Sequence, residues 1–324
     1  MLPVRRLFLG AFALASLALS GAAAAQTPVE EHGRLQVSGT RIVGEAGEPV
    51  TLRGMSLFWS QWQPQFYTAA TIKRLRDDWK ITVIRAAMAV DSGGYRTNPE
   101  AEMAKVETVI DAAVANGIYV IVDWHAHEPH PREAAAFFGK IAAKYGALPN
   151  LIYEPYNEPL ATHAWKTLLK PYHQTVLASI RSPDPDNLVV AGTRTWSQDV
   201  DEAAADPIAD PNLAYTLHYY AATHKQELRD KATLAMKRGA ALFVTEYGVT
   251  QADGGSSIDE AEARRWWDFL EANGISYANW SVAEKDELSA AFKPGTLGDG
   301  SWTEDQVTRS GKLVRGQIRA MDAK

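Results

Sequence analysis

The sequence repeats one pattern eight times: a short, nearly continuous apolar run is followed by a longer segment with helical features. Runs of this kind are typical of parallel strands that are covered on both faces. Their starts lie about 26 to 36 residues apart, enough for a strand, a loop, a helix and a return. The predicted strands are Thr51–Leu57, Ile81–Met88, Gly117–His125, Leu151–Glu158, Asn187–Thr193, Leu213–Tyr220, Ala241–Gly248 and Ser276–Val282.

Eight strand–helix units predict an α/β fold, a (β/α)8 TIM barrel, and residues 26–324 contain no long linker that would divide them into two domains. An open, doubly wound sheet is the rival architecture, but no glycine-rich phosphate loop follows any of the strands. Before the first strand, residues 35–43, a turn at Gly44–Gly47 and the chain from Val50 predict a short β-hairpin.

Several helix ends are also predicted. Asn98-Pro99 is typical of a helix start, and Asn116-Gly117 of its end. Ser257 to Glu260 fits a capping box whose helix ends at Asn273-Gly274. Thr303 with Gln306 is expected to open the last helix.

The first 25 residues have the layout of an export signal. Arg5 and Arg6 precede an apolar stretch from Leu7 to Leu19, and a small-residue cleavage site stands at residues 23–25. We therefore expect a secreted or periplasmic protein whose mature chain begins at Gln26, with no membrane association after signal removal. Residues 5–9 also resemble a twin-arginine core, although Val4 stands where a Ser or Thr is usual, so the export route stays open.

Composition narrows the class of partner. The formal net charge is −6, and removing the two arginines of the predicted signal makes it −8, with no basic stripe in the sequence. This argues against nucleic acid as a partner. The chain has no cysteine, so an exported fold would depend on core burial rather than on disulfides.

Polar and aromatic residues close most of the predicted strands. They are Arg85, Asp123-Trp124-His125, Asn157-Glu158, His218-Tyr219-Tyr220, Glu246-Tyr247 and Trp280. Any one of these could be a satisfied structural group, because buried polar groups are common when they are paired. Since the carboxyl ends of barrel strands carry the active site, their shared position predicts one there.

Two of these residues, Glu158 and Glu246, indicate a reaction. Glycoside hydrolysis requires one carboxylic acid to protonate the leaving oxygen and one carboxylate to attack or to activate water. Tryptophans on which sugar rings can stack fall at the same end of the predicted barrel: Trp59, Trp62, Trp124, Trp196 and Trp280. The other tryptophans that we place, Trp79, Trp165, Trp266 and Trp267, are expected in the core.

The motifs resemble those of a known family. The runs Ile152–Pro159 (IYEPYNEP) and Val244–Gly248 (VTEYG) resemble the two catalytic signatures of glycoside hydrolase family 5, cellulase family A. The similarity extends from about Leu35 to the C-terminus. Trp280–Glu287 and the Ser92–Tyr95 loop are similar to the bacterial endo-β-1,4-glucanase branch.

This resemblance implies a role for each residue around the two glutamates. Glu158 corresponds to the acid/base and Glu246 to the nucleophile. Arg85 and Tyr220 match the groups that hydrogen-bond the nucleophile and keep it ionised, and Asn157 matches the residue that binds the 2-hydroxyl of the sugar.

The resemblance also implies how the substrate is held. His125 and His218 match histidines that position the substrate and the acid/base, and Trp280 matches the platform under the sugar before the scissile bond. Lys285 and Glu287 match polar contacts one sugar further out. At the rim, the resemblance implies stacking for Trp62, and the strand-end pattern predicts it for Trp196.

The implied function is retaining, endo-acting hydrolysis of β-1,4 bonds in cellulose-type or mixed-linkage β-glucans, by a monomer without cofactor or metal. A mannanase or xylanase of the same family is the main alternative. Two distant alternatives remain. One is a metal-dependent amidohydrolase using His125 and His127, with His130 nearby and His218 as a further ligand. The other is a glycan-binding barrel that has lost catalysis.

Overall fold

The structure is a computed structural model that describes residues 26–323. Eight parallel strands form a closed barrel, in which each strand pairs with the next and the last pairs with the first. This confirms the predicted (β/α)8 architecture. The barrel strands are β3 (Arg53–Leu57), β4 (Val83–Ala89), β5 (Tyr119–His125), β6 (Leu151–Glu154), β7 (Leu188–Ala191), β8 (Leu213–Tyr220), β9 (Leu242–Gly248) and β10 (Ser276–Val282).

Helices surround the barrel and bury their apolar faces against it. Nearly every residue of the strands is buried, which explains why their sequences are apolar throughout rather than alternating. The four tryptophans assigned to the core are at most 2% exposed, as predicted. The helices are α1 (Pro28–His32), α2 (Ala69–Arg74), α3 (Pro99–Ala115), α4 (Pro131–Tyr145), α5 (Lys170–Arg181), α6 (Arg194–Ser197), α7 (Val200–Ala205), α8 (Gln226–Lys237), α9 (Glu260–Asn273) and α10 (Arg309–Asp322).

The N-terminal hairpin is present, but its tight turn lies elsewhere than predicted. Strands β1 (Gln36–Ser38) and β2 (Arg41–Val43) pair antiparallel around Gly39 and Thr40. The predicted turn at Gly44–Gly47 follows β2 and leads to a single bridge between Val43 and Pro49. Apolar side chains of this region pack with those at the starts of the barrel strands, so the hairpin covers the amino-terminal end of the barrel.

The helix-end predictions were partly right. Helix α3 begins at Pro99 and ends before Asn116-Gly117, as expected. Helix α9 ends at Asn273, but the side chain that caps its start is Asp259 rather than Ser257. Thr308 caps α10, while Thr303 and Gln306 bond to each other in the preceding turn. In both cases, a residue closer to the first turn of the helix provides the cap: Asp259 for α9 and Thr308 for α10.

The fourth barrel strand ends earlier than predicted. It was expected to reach Glu158, but β6 ends at Glu154, and Pro155 follows without a backbone N–H. The chain nevertheless stays beside β5, because the N–H groups of Asn157 and Glu158 donate to the carbonyls of Trp124 and Ala126, each at 3.2 Å. Glu158 therefore lies just beyond the strand end, at the mouth of the barrel.

The export signal predicted at residues 1–25 lies outside the described residues. Within residues 26–323, no helix is long and apolar enough to cross a membrane.

Two glycines allow a test of how tightly the strands pack. A Cβ added at Gly54 in β3 would lie 1.9 Å from the carbonyl oxygen of Val83, whereas one added at Gly316 in α10 would meet nothing within 4 Å. We expect Gly54→Ala to lower the free energy of unfolding by about 3 kcal/mol, because backbone must move. Gly316→Ala should raise it by about 0.5–1 kcal/mol, because alanine favours a helix. Denaturant unfolding followed by circular dichroism measures both, and equal effects would contradict the packing argument.

Candidate active site

A single guanidinium organises the carboxyl end of the barrel. Arg85 on β4 is completely buried and contacts three carboxylates. Its Nη1 donates to Glu246 at 3.0 Å, and its Nε and Nη2 donate to Glu154 at 2.7 and 3.2 Å. Its Nη2 also lies 2.9 Å from Asp123. Since an unpaired buried charge is costly, this arginine and its partners hold each other in place.

Asn157 is oriented by the same arginine. Arg85 Nη2 donates to Asn157 Oδ1 at 2.6 Å, which fixes which end of the side-chain amide faces inward. The amide Nδ2 is buried and has no hydrogen-bond partner. A buried donor without a partner is unusual, and here it can donate to a substrate hydroxyl.

Glu246 at the end of β9 accepts two hydrogen bonds. Tyr220 on β8 donates to its Oε1 at 2.7 Å, and Arg85 donates to Oε2. Burial and the charge of Glu246 raise the pKa of Tyr220 well above its usual value, so it stays a donor. Burial and the nearby Glu158 raise the pKa of Glu246, while His218, Arg85 and the Tyr220 hydrogen bond oppose this shift.

Glu158 faces the groove and contacts His218. Its Oε1 lies 3.0 Å from His218 Nδ1, and its side chain is 15% exposed. Burial alone would lower the pKa of His218, but the neighbouring carboxylates of Glu154 and Glu158 outweigh it and raise the pKa to about 9. The acid therefore has a proton-bearing group directly beside it.

The two candidate catalytic carboxylates are close together. An oxygen of Glu158, an oxygen of Glu246 and a ring nitrogen of His218 all lie within 4.8 Å of one another. Retaining glycosidases hold their carboxyl groups about 5–5.5 Å apart, whereas inverting ones need roughly 6.5–9.5 Å to admit water. The short separation favours direct attack by a carboxylate.

The same three side chains form the one group within residues 26–323 whose spacing would suit a cation. Both ring nitrogens of His218 are already engaged, however, one with Glu158 and the other with Thr245. The histidines of the amidohydrolase alternative are also committed elsewhere: His125 to Asp123, His127 to the Glu158 carbonyl and His130 to Asp91. The arrangement therefore fits proton transfer better than metal binding.

A groove runs across the barrel mouth with the two glutamates in its middle. Two cavities meet there, and both are bordered by Glu158, Tyr220 and Glu246. One is further lined by Trp196, Gln198, His218, His224 and Ala252. The other is further lined by Phe58, Trp59, Trp62, His125, His127, Ala252, Asp253, Gly254, Trp280, Lys285, Glu287 and Ser289.

Trp280 provides a flat surface in the second cavity. Its ring stacks on His125 at 5.2 Å between centroids, with the planes only 4° apart, and contacts Phe58 at 4.9 Å. Lys285 lies 4.6 Å above the Phe58 ring and pairs with Glu287 at 2.5 Å. Trp280, Phe58, Lys285 and Glu287 together form one wall of the groove, and their contacts with one another and with His125 hold its apolar and charged parts in place.

Two tryptophans are exposed where a polymer would pass. Trp62 is 55% exposed and Trp196 is 44% exposed, in contrast to the buried core tryptophans. They border opposite cavities of the groove. Large exposed aromatic surfaces of this kind mark binding positions.

The backbone that carries Trp196 is unusual. Thr195, Trp196 and Ser197 in α6 all have left-handed φ values, between 53° and 58°. Such conformations cost about 1–3 kcal/mol each for residues other than glycine. Hydrogen bonds hold the turn: Trp196 N–H donates to the Pro159 carbonyl at 2.8 Å, and Ser197 Oγ donates to the Asn157 carbonyl at 2.7 Å.

Twelve of the residues predicted for the site lie at this end of the barrel: ten line the groove, and Arg85 and Asn157 lie buried beneath it. Trp59, predicted as a stacking residue, also lines the groove. The same prediction was wrong for Trp124, which is completely buried because its ring packs outward against Tyr95 and Phe137. Glu154 and Thr245, which connect Arg85 to His218, were not predicted from the sequence as site residues. The available signal for Glu154 was an ionisable residue inside an otherwise apolar strand.

A closed (β/α)8 barrel whose open groove centres on two adjacent carboxylates is the structure of a glycoside hydrolase. The family is shown directly by comparison. Residues 43–286 match the model of the cellulase family, glycosyl hydrolase family 5, and the chain belongs to that family.

Curated relatives with similar sequences are named endoglucanases. Endoglucanase N of Pectobacterium atrosepticum is 44% identical over 323 residues, covering 98% of this chain and 72% of the relative. Endoglucanase Z of Dickeya dadantii is 46% identical over 293 residues, covering 88% and 66%. This chain therefore spans about two thirds to three quarters of these relatives' lengths.

Solved structures agree in fold. A structure from Cytophaga hutchinsonii has a TM-score of 0.91 and 50% identity, covering 92% of this chain and 98% of that one. The catalytic domain of an endoglucanase from Thermobifida fusca, solved with cellotetraose, has a TM-score of 0.86 and 34% identity, covering 91% of this chain and all of that one.

Removing the Tyr220 hydroxyl tests how Glu246 is kept ionised. The hydrogen bond lowers the pKa of Glu246, so Tyr220→Phe should raise it. With Glu246 as the nucleophile, which attacks only as a carboxylate, we expect the acid limb of kcat/KM to move to higher pH by about one unit. The control is Tyr219→Phe on the same strand, whose buried hydroxyl has no partner, and which should leave the pH profile in place. Coincident profiles for both variants would refute the assignment.

Proposed function

We propose that this protein is a retaining endo-β-1,4-glucanase that cleaves internal bonds of cellulose-type or mixed-linkage β-glucans. The observation that carries this proposal is the pair Glu158 and Glu246, within 4.8 Å of each other in the middle of an open groove. A groove open on both sides of the reacting groups accepts the interior of a chain, whereas a closed pocket would accept only an end.

In the proposed mechanism, Glu246 attacks the anomeric carbon while Glu158 gives a proton to the leaving oxygen. Glu158 then removes a proton from water, which displaces Glu246 and restores the original configuration. Arg85 and Tyr220 keep Glu246 anionic and aimed, since each donates to one of its oxygens. The unpartnered Nδ2 of Asn157 is positioned to bind the 2-hydroxyl of the attacked sugar.

The substrate class follows from the walls of the groove. Stacking on Trp62, Trp196 and Trp280 suits β-1,4-linked glucose, whose ring hydroxyls are all equatorial and leave flat apolar faces. The relatives named endoglucanases and the Thermobifida structure with cellotetraose support the same class. Lys285 and Glu287 supply polar contacts along the wall beside Trp280.

Viscometry tests the substrate and the endo mode together. We expect a fast loss of viscosity of soluble cellulose derivatives or mixed-linkage β-glucan, with oligosaccharide products. Trp280→Ala should lower kcat/KM, with a loss of about 1–3 kcal/mol of transition-state binding free energy, the scale of one stacked aromatic ring. Single sugars released from chain ends without a viscosity drop would contradict the endo mode, and a clear preference for mannan or xylan would change the assigned substrate.

Substrates with different leaving groups distinguish the proposed role of Glu158 from that of Glu246. Glu158→Gln should strongly reduce cleavage of polysaccharide but spare aryl cellobiosides with acidic phenols, which leave without a proton. Glu246→Gln should abolish both. Proton NMR of the first product should show the β configuration. An α product, or equal losses on both substrates for Glu158→Gln, would overturn the roles.

We further propose that the chain is exported by the signal at residues 1–25 and acts in the periplasm or the medium. N-terminal sequencing of active protein should find Gln26 or a neighbouring residue at the start, and finding Met1 would contradict this. Replacing Arg5 and Arg6 by Lys should block twin-arginine export but leave general secretion intact, which distinguishes the two routes.

A further inference from the structure

Glu154, which takes no direct part in the proposed chemistry, is the most tightly bound carboxylate of the site. It is completely buried, and Arg85 donates to both of its oxygens. Burial would raise the pKa of Glu154, but Arg85 and the nearby His218, whose Nε2 lies 3.6 Å from Oε1, outweigh it and lower the pKa. Glu154 is therefore an anion that accepts hydrogen bonds and has no proton to donate.

This fixed anion determines the direction of a short hydrogen-bond chain. The Thr245 hydroxyl donates to Glu154 Oε1 at 2.6 Å, which uses its only proton. Toward His218 Nε2, 2.9 Å away, the same hydroxyl can therefore only accept. The contact requires a proton on Nε2, so the proton that His218 can gain or lose is on Nδ1, facing Glu158 at 3.0 Å.

We propose that Glu154, acting through Thr245, fixes the tautomer of His218 so that its Nδ1 shares one proton with the acid/base Glu158. Glu154 is thus a positioning residue, and the inference rests on the proposed role of Glu158. The titratable and charged groups around the ring are Glu154 on β6, Glu158 after it, Glu246 on β9, Arg85 on β4 and the ring of His125 on β5, whose pKa burial lowers well below its usual value.

The shared proton serves both steps of the reaction. In the first, it passes from the Glu158–His218 pair to the glycosidic oxygen as the bond to the anomeric carbon breaks and the bond to Glu246 forms. The Nδ1 lone pair then faces the Glu158 carboxylate, so the pair is ready to take up a proton again. In the second, water gives its proton back to the pair while its oxygen bonds to the anomeric carbon and releases Glu246.

The tautomer can be observed directly in the unaltered enzyme. In protein labelled with nitrogen-15 histidine, with the His218 signals assigned by their loss in His218→Asn, long-range proton–nitrogen NMR reports which ring nitrogen carries hydrogen. We expect Nε2 to stay protonated across the active pH range while Nδ1 titrates. A neutral ring protonated on Nδ1 overturns the proposal. This measurement needs no substrate, so its result is independent of whether the glucanase assignment is correct.

Glu154→Gln tests whether Glu154 determines the tautomer of His218. We expect the amide oxygen to keep the shorter of the two Arg85 bonds, from Nε at 2.7 Å, and to give up the 3.2 Å bond from Nη2, so the amide nitrogen faces Thr245. Thr245 then donates to Nε2, and the His218 proton moves to Nδ1. Loss of the negative charge also weakens proton binding by the pair, so the basic limb of kcat/KM on cello-oligosaccharides should move to lower pH by about one unit.

Two controls separate this role from a structural one. Thr216 contacts the Thr245 hydroxyl from the other side, and Thr216→Val should leave the basic limb unmoved. With a dinitrophenyl cellobioside, whose leaving group needs no proton, Glu154→Gln should not shift the basic limb either. A uniform loss of kcat on both substrates, with the basic limb in place, would overturn the proposal.

Discussion

The electrostatic balance around Arg85 is the constraint on which the active site depends. One buried guanidinium meets the carboxyl groups of Asp123, Glu154 and Glu246. Hydrogen bonds and Coulomb attraction to this shared cation hold the three acids at short range. Burial raises the pKa of Asp123 well above its usual value, whereas Arg85 helps to lower the pKa of Glu154. His218 adds a second positive charge to the site, because its pKa is raised to about 9. Asp123, Glu154 and Glu246 thus belong to one coupled system, whose protonation is a property of the whole cluster.

The barrel supplies the geometry that this balance needs. Arg85, Glu154 and Glu246 come from three different strands, and closure of the sheet brings their ends to one level. The early end of β6 has a particular effect, since it places Glu154 inside the strand layer and Glu158 beyond it. Two glutamates only four residues apart therefore have different functions: one is a buried anion, and the other is partly exposed to the groove.

The repeated strand–helix pattern predicted the barrel correctly, because buried parallel strands need unbroken apolar runs. The position of the groove was predicted for a related reason, since polar groups at the ends of such apolar runs stand out in the sequence. Glu154 and Thr245 were missed because their importance lies in contacts between strands, Arg85 with Glu154 and Thr245 with His218, which a linear sequence does not display. Capping at Asp259 and Thr308 was missed because several competent residues precede each helix, and packing decides among them.

The left-handed turn at Trp196 has a consequence for how such an enzyme can diversify. The Ser197 hydroxyl donates a hydrogen bond to the carbonyl of Asn157. The Trp196 wall of the groove is therefore joined to the segment that carries Glu158, and the two are expected to move together. The other wall, formed by Phe58, Trp62 and the Lys285–Glu287 pair, stands on loops after β3 and β10, and within residues 26–323 no hydrogen bond joins these side chains to Asn157 or Glu158. Loop exchange on the Trp62 side can therefore alter sugar preference while the acid stays in register. Exchange of the loop that carries Trp196 would change sugar binding and the position of Glu158 together. The sequence of that half of the groove is therefore the more constrained in evolution and in engineering.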